Sequence, residues 1–199
     1  MWAMNFVYFD LETERSAQEV GGWGNIEQLG IAVAVTCASG DDQDGQAQFK
    51  TFLGDQTDDL LAELRRADCV VGFNTRGFDF RVLQPFVAFD LKSLHNIDLM
   101  LDLKAVAGFR PGLDNCCAQT LGSQKSGGGL QSLQWWREGR RDEVIAYCRQ
   151  DVLLTRQLHE FGARQGFVKC LDKNAKERVL RVAWSLDDSA PAPQQGTLF

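Results

Sequence analysis

The stretch that decides the fold is Asn5–Thr13, whose sequence is NFVYFDLET. Its first part is aromatic and β-branched, which is typical of a buried β-strand. Because side chains alternate along a strand, Asp10 and Glu12 point to the same face, about 7 Å apart. Two neighbouring carboxylates at the end of a buried strand repel each other and lose their hydration. A divalent cation removes both costs, so this Asp-x-Glu pattern predicts half of a Mg²⁺ or Mn²⁺ site.

The length and composition indicate one globular domain. The chain has 199 residues, of which 44% are hydrophobic, and this is enough for one full core. We expect a single domain over residues 1–184 and a flexible C-terminal tail over residues 185–199, which is polar and contains proline. There is no apolar run of about 18 residues and no basic region followed by a hydrophobic stretch. We therefore expect no membrane span, no signal peptide and a cytoplasmic location.

The charge and the cysteines restrict the possible functions. The formal net charge is −6, whereas a protein that binds duplex nucleic acid through its phosphates usually carries a basic excess. If this chain binds nucleic acid, we expect local contact with a short end through metal ions and a few basic side chains. The six cysteines show no C-x-x-C spacing. This favours small buried residues in a reducing compartment over a zinc site or a disulfide framework.

The order of the predicted elements indicates a mixed α/β sheet with helices on both faces. Two strands follow the first one, over residues 26–37 and 46–53, and the three together form an antiparallel meander. The remaining predicted elements alternate between helix and strand: a helix over 55–66, a strand over 67–74, a helix over 77–88, a strand or strand-to-helix segment over 95–102, short helices and loop over 103–129, a helix over 130–136, a long helix over 142–161 and a hairpin over 166–184.

The long helix carries two polar residues on its apolar face. Tyr147, Asp151, Leu154 and Leu158 fall at helical spacing and share one face. In the helix predicted over residues 130–136, we expect the following residues to face inward: Leu130, Leu133 and Trp136.

Four carboxylates stand out in this arrangement: Asp10, Glu12, Asp79 and Asp151. Asp79 lies just inside the helix that follows the buried strand over residues 67–74. A sheet centred on the first strand can bring all four to one edge, where they can hold two divalent cations about 4 Å apart. Such a pair activates water and stabilises the entering and leaving oxygens of an in-line displacement at phosphorus. The chain has only two histidines, and no Ser or Cys lies beside either of them in a triad-like setting.

Three segments of the chain together resemble the motifs of a known family. The segments are Asp10-x-Glu12, Asn74-x-x-x-Phe78-Asp79 and Tyr147-x-x-x-Asp151. In this order they resemble the exonuclease motifs of the DEDD superfamily of 3′–5′ exonucleases, in its tyrosine-bearing DEDDy branch. That superfamily includes polymerase proofreading domains, RNase D and the YprB-type nucleases. Its sister branch has a histidine at the position of Ala146, which favours the tyrosine branch. The resemblance covers about residues 5–161 and implies an RNase H-like fold, with three antiparallel strands followed by parallel strands in a five-stranded sheet.

The resemblance also implies catalytic roles for individual residues. Asp10 would contact both of two Mg²⁺ or Mn²⁺ ions. Glu12 and Asp151 would complete the tighter metal site, and Asp79 would support the second ion. Tyr147 would orient the attacking water. The implied activity is the release of nucleoside monophosphates from a 3′ end.

Several residues are candidates for contact with the substrate. The resemblance implies that Asn74 and Phe78 form the floor under the terminal nucleotide and that Thr13 touches the 3′ end. Trp23, in a glycine-rich loop, is either a stacking surface for a base or a cover over the core. Four basic residues are either phosphate contacts or ordinary surface charges: Lys125, Arg76, Arg137 and Arg149.

The C-terminal sequence Gln195-Gly196-Thr197-Leu198-Phe199 has a resemblance of its own. It is similar to the short Q-x-x-L-F peptides by which bacterial repair and replication proteins bind the sliding clamp. Two apolar anchors on a flexible end suit a hydrophobic pocket, and the glutamine adds polar contacts. The alternatives are clamp binding through Gln195, Leu198 and Phe199, and a tail without a partner. Clamp binding favours DNA over RNA as the substrate and a setting in DNA repair or replication.

Three other functions are compatible with parts of this pattern. A 3′–5′ exoribonuclease uses the same chemistry and differs by a contact to the 2′-hydroxyl. A non-catalytic RNase H-like binding module is disfavoured because all four acids and Tyr147 are present. An unrelated metal phosphoesterase is disfavoured because histidine ligands are lacking.

Overall fold

The computed structural model describes residues 4–40, 42, 46–123 and 129–186. Its strands and helices, in chain order, are β1 Phe6–Thr13, β2 Ile31–Ala38, β3 Lys50–Leu53, α1 Thr57–Arg66, β4 Cys69–Gly72, α2 Asp79–Leu83, β5 Asn96–Asp98, α3 Leu99–Ala107, α4 Leu113–Leu121, α5 Gly129–Arg137, α6 Arg141–Gln165, β6 Phe167–Leu171 and β7 Glu177–Arg181. Four short 3₁₀ helices accompany them, at Trp23–Gln28, Gly54–Gln56, Gln84–Phe86 and Leu91–Ser93. Some residues singled out in the sequence lie outside the described ranges: Lys125, Gln195, Leu198 and Phe199.

The main sheet has five strands in the order β3-β2-β1-β4-β5. β1 pairs antiparallel with β2, and β2 pairs antiparallel with β3. β4 runs parallel to β1 on its other side, and β5 runs parallel to β4. This confirms the predicted mixed sheet, in which three antiparallel strands are followed by parallel ones. β6 and β7 form the predicted C-terminal hairpin as a separate two-stranded sheet.

β1 is central because both of its faces are apolar enough to be buried. Phe6 and Tyr8 belong to the core on one side of the sheet, with residues of α6. Val7 and Phe9 belong to the core on the other side, with residues of α1 and α2. Since side chains alternate along the strand, Asp10 falls on the same side as Tyr8. The α6 helix packs across β1 and β2 on that side, so the acidic end of β1 faces α6.

Three predicted elements differ from the structure in their extent. The second strand begins at Ile31 because Gly30 reverses the chain in a left-handed conformation with φ of 71°. The predicted third strand, over 46–53, forms a regular strand only at Lys50–Leu53. The helix predicted over 77–88 is shorter, since α2 ends at Leu83 and continues as a 3₁₀ turn that contains Pro85. Proline has no N–H to donate within a helix.

One predicted orientation in α5 is wrong. Leu130 is 83% exposed, although Leu133 is buried and Trp136 packs against the core as expected. Leu130 is in the first turn of α5, next to the chain end at which the described residues resume. No helix in the described part of the chain has the length and apolar character needed to cross a membrane.

Candidate active site

Three carboxylates from distant parts of the sequence converge where α6 crosses β1. Asp10 and Glu12 come from β1, and Asp151 comes from α6. One oxygen of each carboxylate lies within 4.8 Å of the corresponding oxygens of the other two. Asp10 and Glu12 are partly buried, and Asp151 is buried. The strand alternation that points Asp10 and Glu12 at α6 and the helical spacing that turns Asp151 inward are together sufficient to form this cluster.

Asp79, the fourth predicted acid, lies beside this cluster but is not one of the three converging groups. It is the first residue of α2 and is only 3% exposed. Its Oδ1 atom accepts a hydrogen bond of 3.2 Å from the backbone N–H of Leu11. Burial raises the pKa of Asp79 well above its usual range, and the nearby carboxylates of Asp98 and Glu12 raise it further. The buried acid therefore joins α2 to the middle of β1, between the two acidic residues of that strand.

Tyr147 lies one helical turn before Asp151 on the same face of α6. It is buried, with 4% of its surface exposed. The ring of Trp135 on α5 meets the Tyr147 ring edge-on, at 6.2 Å between centroids. Tyr147 is therefore held between α6 and α5 on the side of the cluster.

Thr13 ends β1 and is buried, but its hydroxyl is engaged within the chain. The Thr13 Oγ1 donates a 3.0 Å hydrogen bond to the backbone carbonyl of Arg15. The predicted contact of Thr13 with a 3′ end therefore falls to its backbone in the structure as it stands.

A tight turn from Asn74 to Asp79 presents the second motif. The carbonyl of Asn74 accepts hydrogen bonds from the N–H groups of Gly77 and Phe78, at 3.1 and 2.9 Å. Asn74 has a left-handed backbone with φ of 74°. A Cβ atom at residue 77 would lie only 2.5 Å from Asn74 Oδ1, so the turn requires glycine there.

An exposed aromatic surface lies next to this turn. Trp23 is 69% exposed, and its ring packs edge-on against Phe78 at 6.4 Å between centroids. Of the two predicted positions for Trp23, the structure therefore shows the exposed one.

Asp98 is a buried residue of the site that the sequence analysis did not single out. Its carboxylate accepts hydrogen bonds from three backbone N–H groups, those of Asn74 at 2.9 Å, Arg76 at 3.0 Å and Leu101 at 3.2 Å. It thereby caps α3 and fixes the turn that leads to Asp79. The available signal was an aspartate at the end of a short apolar strand, directly before a helical pattern.

Two further buried residues contact the acids themselves. Ser132 on α5, 1% exposed, donates a 2.5 Å hydrogen bond from Oγ to Oε2 of Glu12. The Sγ of Cys148 on α6 lies 3.3 Å from the carbonyl oxygen of Asp10, to which the thiol donates. Burial raises the pKa of Cys148 well above its usual range, and the Asp10 carboxylate adds to this, so the thiol stays protonated. Nothing in the sequence around Ser132 or Cys148 indicated these contacts.

The three converging carboxylates fit a divalent metal ion of the hard, oxygen-preferring kind. The group consists of carboxylate oxygens alone, which are the ligands that Mg²⁺ and Mn²⁺ prefer. The neighbouring Cys148 is protonated and so does not supply the thiolate that a zinc site would favour. Asp10, Glu12 and Asp151 are the residues that would hold such an ion, with Asp79 next to them.

Comparison with known proteins supports the same class of fold. Residues 7–161 match the family described as the RNase H superfamily, and the chain belongs to that superfamily. The match confirms the fold that the three sequence motifs implied. Curated protein sequences give no match.

Two solved structures show how widely this fold is shared. The structure is similar to that of a family B DNA polymerase from the hyperthermophilic archaeon Pyrobaculum calidifontis, with a TM-score of 0.58 and 13% identity over 80% of this chain and 24% of the polymerase chain. It is also similar to E. coli Exonuclease I in complex with a 5cy-dT13 oligonucleotide, with a TM-score of 0.43 and 12% identity over 82% of this chain and 41% of that chain. The chain thus spans less than half the length of either protein. At these identities the likeness concerns the fold.

Proposed function

We propose that the protein is a metal-dependent 3′–5′ exonuclease of the DEDDy type, which releases nucleoside monophosphates from the 3′ ends of DNA. One observation carries the proposal: Asp10, Glu12 and Asp151 converge within 4.8 Å, on the central strand and the crossing helix of an RNase H-like fold. Tyr147, one turn before Asp151, is the additional residue that the tyrosine branch requires.

The residues divide the work of hydrolysis between them. Asp10, Glu12, Asp79 and Asp151 would hold two Mg²⁺ or Mn²⁺ ions, which supply water activation and charge stabilisation when bound. Tyr147 orients the water that attacks the terminal phosphodiester. The bond between phosphorus and the 3′ oxygen of the preceding nucleotide breaks, so the water oxygen leaves on the released 5′-monophosphate.

The surface beside the cluster suits a single strand with a splayed end. Phe78, in the turn before Asp79, and the exposed Trp23 packed against it offer aromatic area on which bases can stack. Stacking does not need a basic surface, which is consistent with a chain whose formal net charge is −6.

The preference for DNA, and the setting in DNA repair or replication, rest on the C-terminal sequence. Gln195, Leu198 and Phe199 would bind a bacterial sliding clamp and bring the enzyme to DNA ends. Deletion of residues 195–199 should abolish clamp recovery in a pull-down and leave the digestion of short free oligonucleotides unchanged. Equal clamp recovery by the full-length and the truncated protein would remove this part of the proposal.

The proposal is tested by digestion of 5′-labelled single-stranded DNA, duplex DNA and RNA with Mg²⁺, Mn²⁺ or EDTA. We expect a ladder of labelled products that shorten from the 3′ end, with DNA the preferred substrate and no products in EDTA. Asp10→Asn and Asp151→Asn should abolish the ladder. Glu143→Gln is the matched control, because Glu143 lies on α6 in an exposed ion pair with Arg140, and it should behave as wild type.

Other outcomes of this assay separate the alternatives. Preferential digestion of RNA would indicate an exoribonuclease. Binding of oligonucleotides without digestion would indicate a non-catalytic module. Wild-type turnover in Asp10→Asn would overturn the assignment of the site.

A further inference from the structure

Two exposed arginines beside the site are bonded to amide oxygens and not to carboxylates. Arg110 Nη2 donates a 3.0 Å hydrogen bond to Asn74 Oδ1, and Arg76 Nε donates a 3.3 Å hydrogen bond to Asn96 Oδ1. None of the ion pairs formed between residues of the described ranges includes either arginine. A neutral amide partner leaves the positive charge of a guanidinium in place.

Other basic side chains of this acidic protein are neutralised or lie against rings. Arg137, which the charge pattern offered as a phosphate contact, forms an ion pair with Glu19. Arg149, a second candidate, lies over the ring of Phe49 at 5.0 Å from its centroid. Arg110 was not a candidate, since it lies in the loop between α3 and α4, and only the structure brings it to Asn74.

Both arginines are attached to the turn that carries the second motif. Arg76 is part of the turn, and Arg110 contacts its first residue, Asn74. The carboxylate of Asp98 holds the backbone N–H groups of Asn74 and Arg76 in place. The same turn ends at Asp79, which bonds to the backbone of β1 between its two acidic residues. The two guanidinium groups are therefore positioned by the same backbone that positions an acid of the proposed active site.

Acidic groups near the pair are already occupied by other donors. Asp98 accepts three backbone N–H groups. Asp102, whose pKa is affected by the charge of Arg76, accepts a 2.9 Å hydrogen bond from the indole Nε1 of Trp184. Neither acid forms an ion pair with Arg76 or Arg110 among the pairs of the described residues.

We propose that Arg110, together with Arg76, binds a backbone phosphate of the strand whose 3′ end occupies the active site. This inference rests on the proposed function. A guanidinium has five N–H donors in a planar fork that suits phosphate oxygens, and the bond to Asn74 uses one donor of Arg110. The amide of Asn74 thus orients Arg110, and the remaining donors bind the phosphate.

The first experiment measures binding without turnover. A 5′-fluorescein-labelled single-stranded DNA oligonucleotide is titrated with protein in EDTA, and fluorescence anisotropy is followed at several salt concentrations. We expect Arg110→Ala to weaken binding about tenfold and to reduce the slope of log K against log[salt] by roughly 0.7, the value for one phosphate contact to a single strand. Arg110→Lys should lie between the two, because it keeps the charge and loses the fork. Arg76→Ala should also weaken binding.

The control is Arg66→Ala, which removes an exposed arginine from the last turn of α1 and should leave affinity and slope unchanged. Circular dichroism melts check that each variant is folded. If Arg110→Ala matches wild type and Arg66→Ala in both affinity and slope, while wild type digests DNA, the inference fails and the proposed function stands. If wild type neither binds nor digests any oligonucleotide, both fail.

The second experiment does not depend on how Arg110→Ala folds. Oligonucleotides that carry a single neutral methylphosphonate are tested, with the modification moved one position at a time from the 3′ end. For wild type, we expect one position at which the modification weakens binding about as much as Arg110→Ala does. For Arg110→Ala, the same modification should have no further effect. Equal losses in both proteins at every position would overturn the inference.

Discussion

Ser132 on α5 donates a 2.5 Å hydrogen bond to Oε2 of Glu12 on β1, a residue 120 positions earlier in the chain. Both ends of this bond are shielded from solvent, since Ser132 is 1% exposed and Glu12 is partly buried. The bond engages one oxygen of Glu12 and fixes how the carboxylate is turned toward Asp10 and Asp151. Ser132 is thus a positioning residue that acts on the proposed metal site through Glu12.

We predict that Ser132→Ala weakens binding of Mn²⁺ by roughly 10- to 100-fold, the usual cost of losing a group that orients a metal ligand. The measurement is calorimetric titration of the metal-free protein with Mn²⁺, alongside the Mg²⁺ dependence of digestion. Ser132→Thr retains the hydroxyl and should recover part of the affinity. Ser93→Ala is the control, because its hydroxyl bonds only to the carbonyl of Asp90 in a remote turn. Equal Mn²⁺ affinity in wild type and Ser132→Ala would contradict this role.

Asp98→Ala should lower both stability and activity. The substitution leaves the backbone N–H groups of Asn74, Arg76 and Leu101 without their carboxylate partner. Hydrogen bonds to a charged group contribute about 1.5–3 kcal/mol each, and they share one carboxylate, so we expect a loss of roughly 3–5 kcal/mol in the free energy of unfolding. Urea unfolding measures this loss.

The matched control is Asp90→Ala, because Asp90 also caps a short helix but is exposed and accepts one backbone N–H, that of Lys92. It should cost about 1 kcal/mol or less. Similar losses for the two variants would show that Asp98 is an ordinary cap.

The sequence was sufficient for those parts of the site that depend on local periodicity. Alternation along β1 places Asp10 and Glu12 on one face, and helical spacing places Tyr147 and Asp151 on one face of α6. Each pattern needs only its own element to be identified correctly. The sheet order then follows because β1, buried on both faces, has to be central.

The contacts that the sequence did not reveal are long-range and involve ordinary residue types. Ser132, Asp98 and Arg110 each meet a partner on another element, and the register of that meeting depends on how the elements pack. A glycine-rich segment precedes α5, so no local signal fixed which face of that helix turns inward, and Leu130 was placed wrongly for this reason. Gly30 was read as part of a continuous strand, because its effect depends on a positive φ that sequence alone does not show.

Trp23→Ala should raise KM for a single-stranded oligonucleotide more than it lowers kcat. Stacking of a base on an aromatic side chain contributes about 1–3 kcal/mol, so the expected rise is roughly 5- to 150-fold. Thermal stability should change little, since Trp23 is 69% exposed. Trp23→Phe should retain most of the affinity. Leu130→Ala removes another exposed apolar side chain and serves as the control, and an unchanged KM in Trp23→Ala would exclude the stacking role.

His159 gives the fold a predictable dependence on pH. It is fully buried among the rings of Phe6, Tyr8 and Trp184. The Tyr8 hydroxyl lies 3.1 Å from its Nδ1, and its Nε2 has no hydrogen-bond partner among the described residues. Burial lowers the pKa of His159 to about 4, against a weaker opposing effect of the Glu160 charge.

Because the folded pKa lies below the unfolded value of about 6.5, the unfolded chain takes up a proton first as the pH falls. The contribution of neutral His159 is complete above pH 6.5 and is lost between about pH 6.5 and pH 4. This shift corresponds to roughly 3 kcal/mol. Urea unfolding measured at intervals from pH 8 to pH 4 should show the loss in wild type.

His159→Gln should remove that slope, although its stability at pH 8 will be lower because the aromatic cluster is disturbed. The difference between the two pH profiles isolates His159, since the carboxylates that titrate in the same range are common to both proteins. His95→Gln is the control, as His95 is exposed and bonds only to the backbone carbonyl of Asp68. Its profile should parallel that of wild type. If the profile of His159→Gln is also parallel to wild type, the acid sensitivity arises elsewhere and His159 does not remain neutral in the folded protein for the reason given.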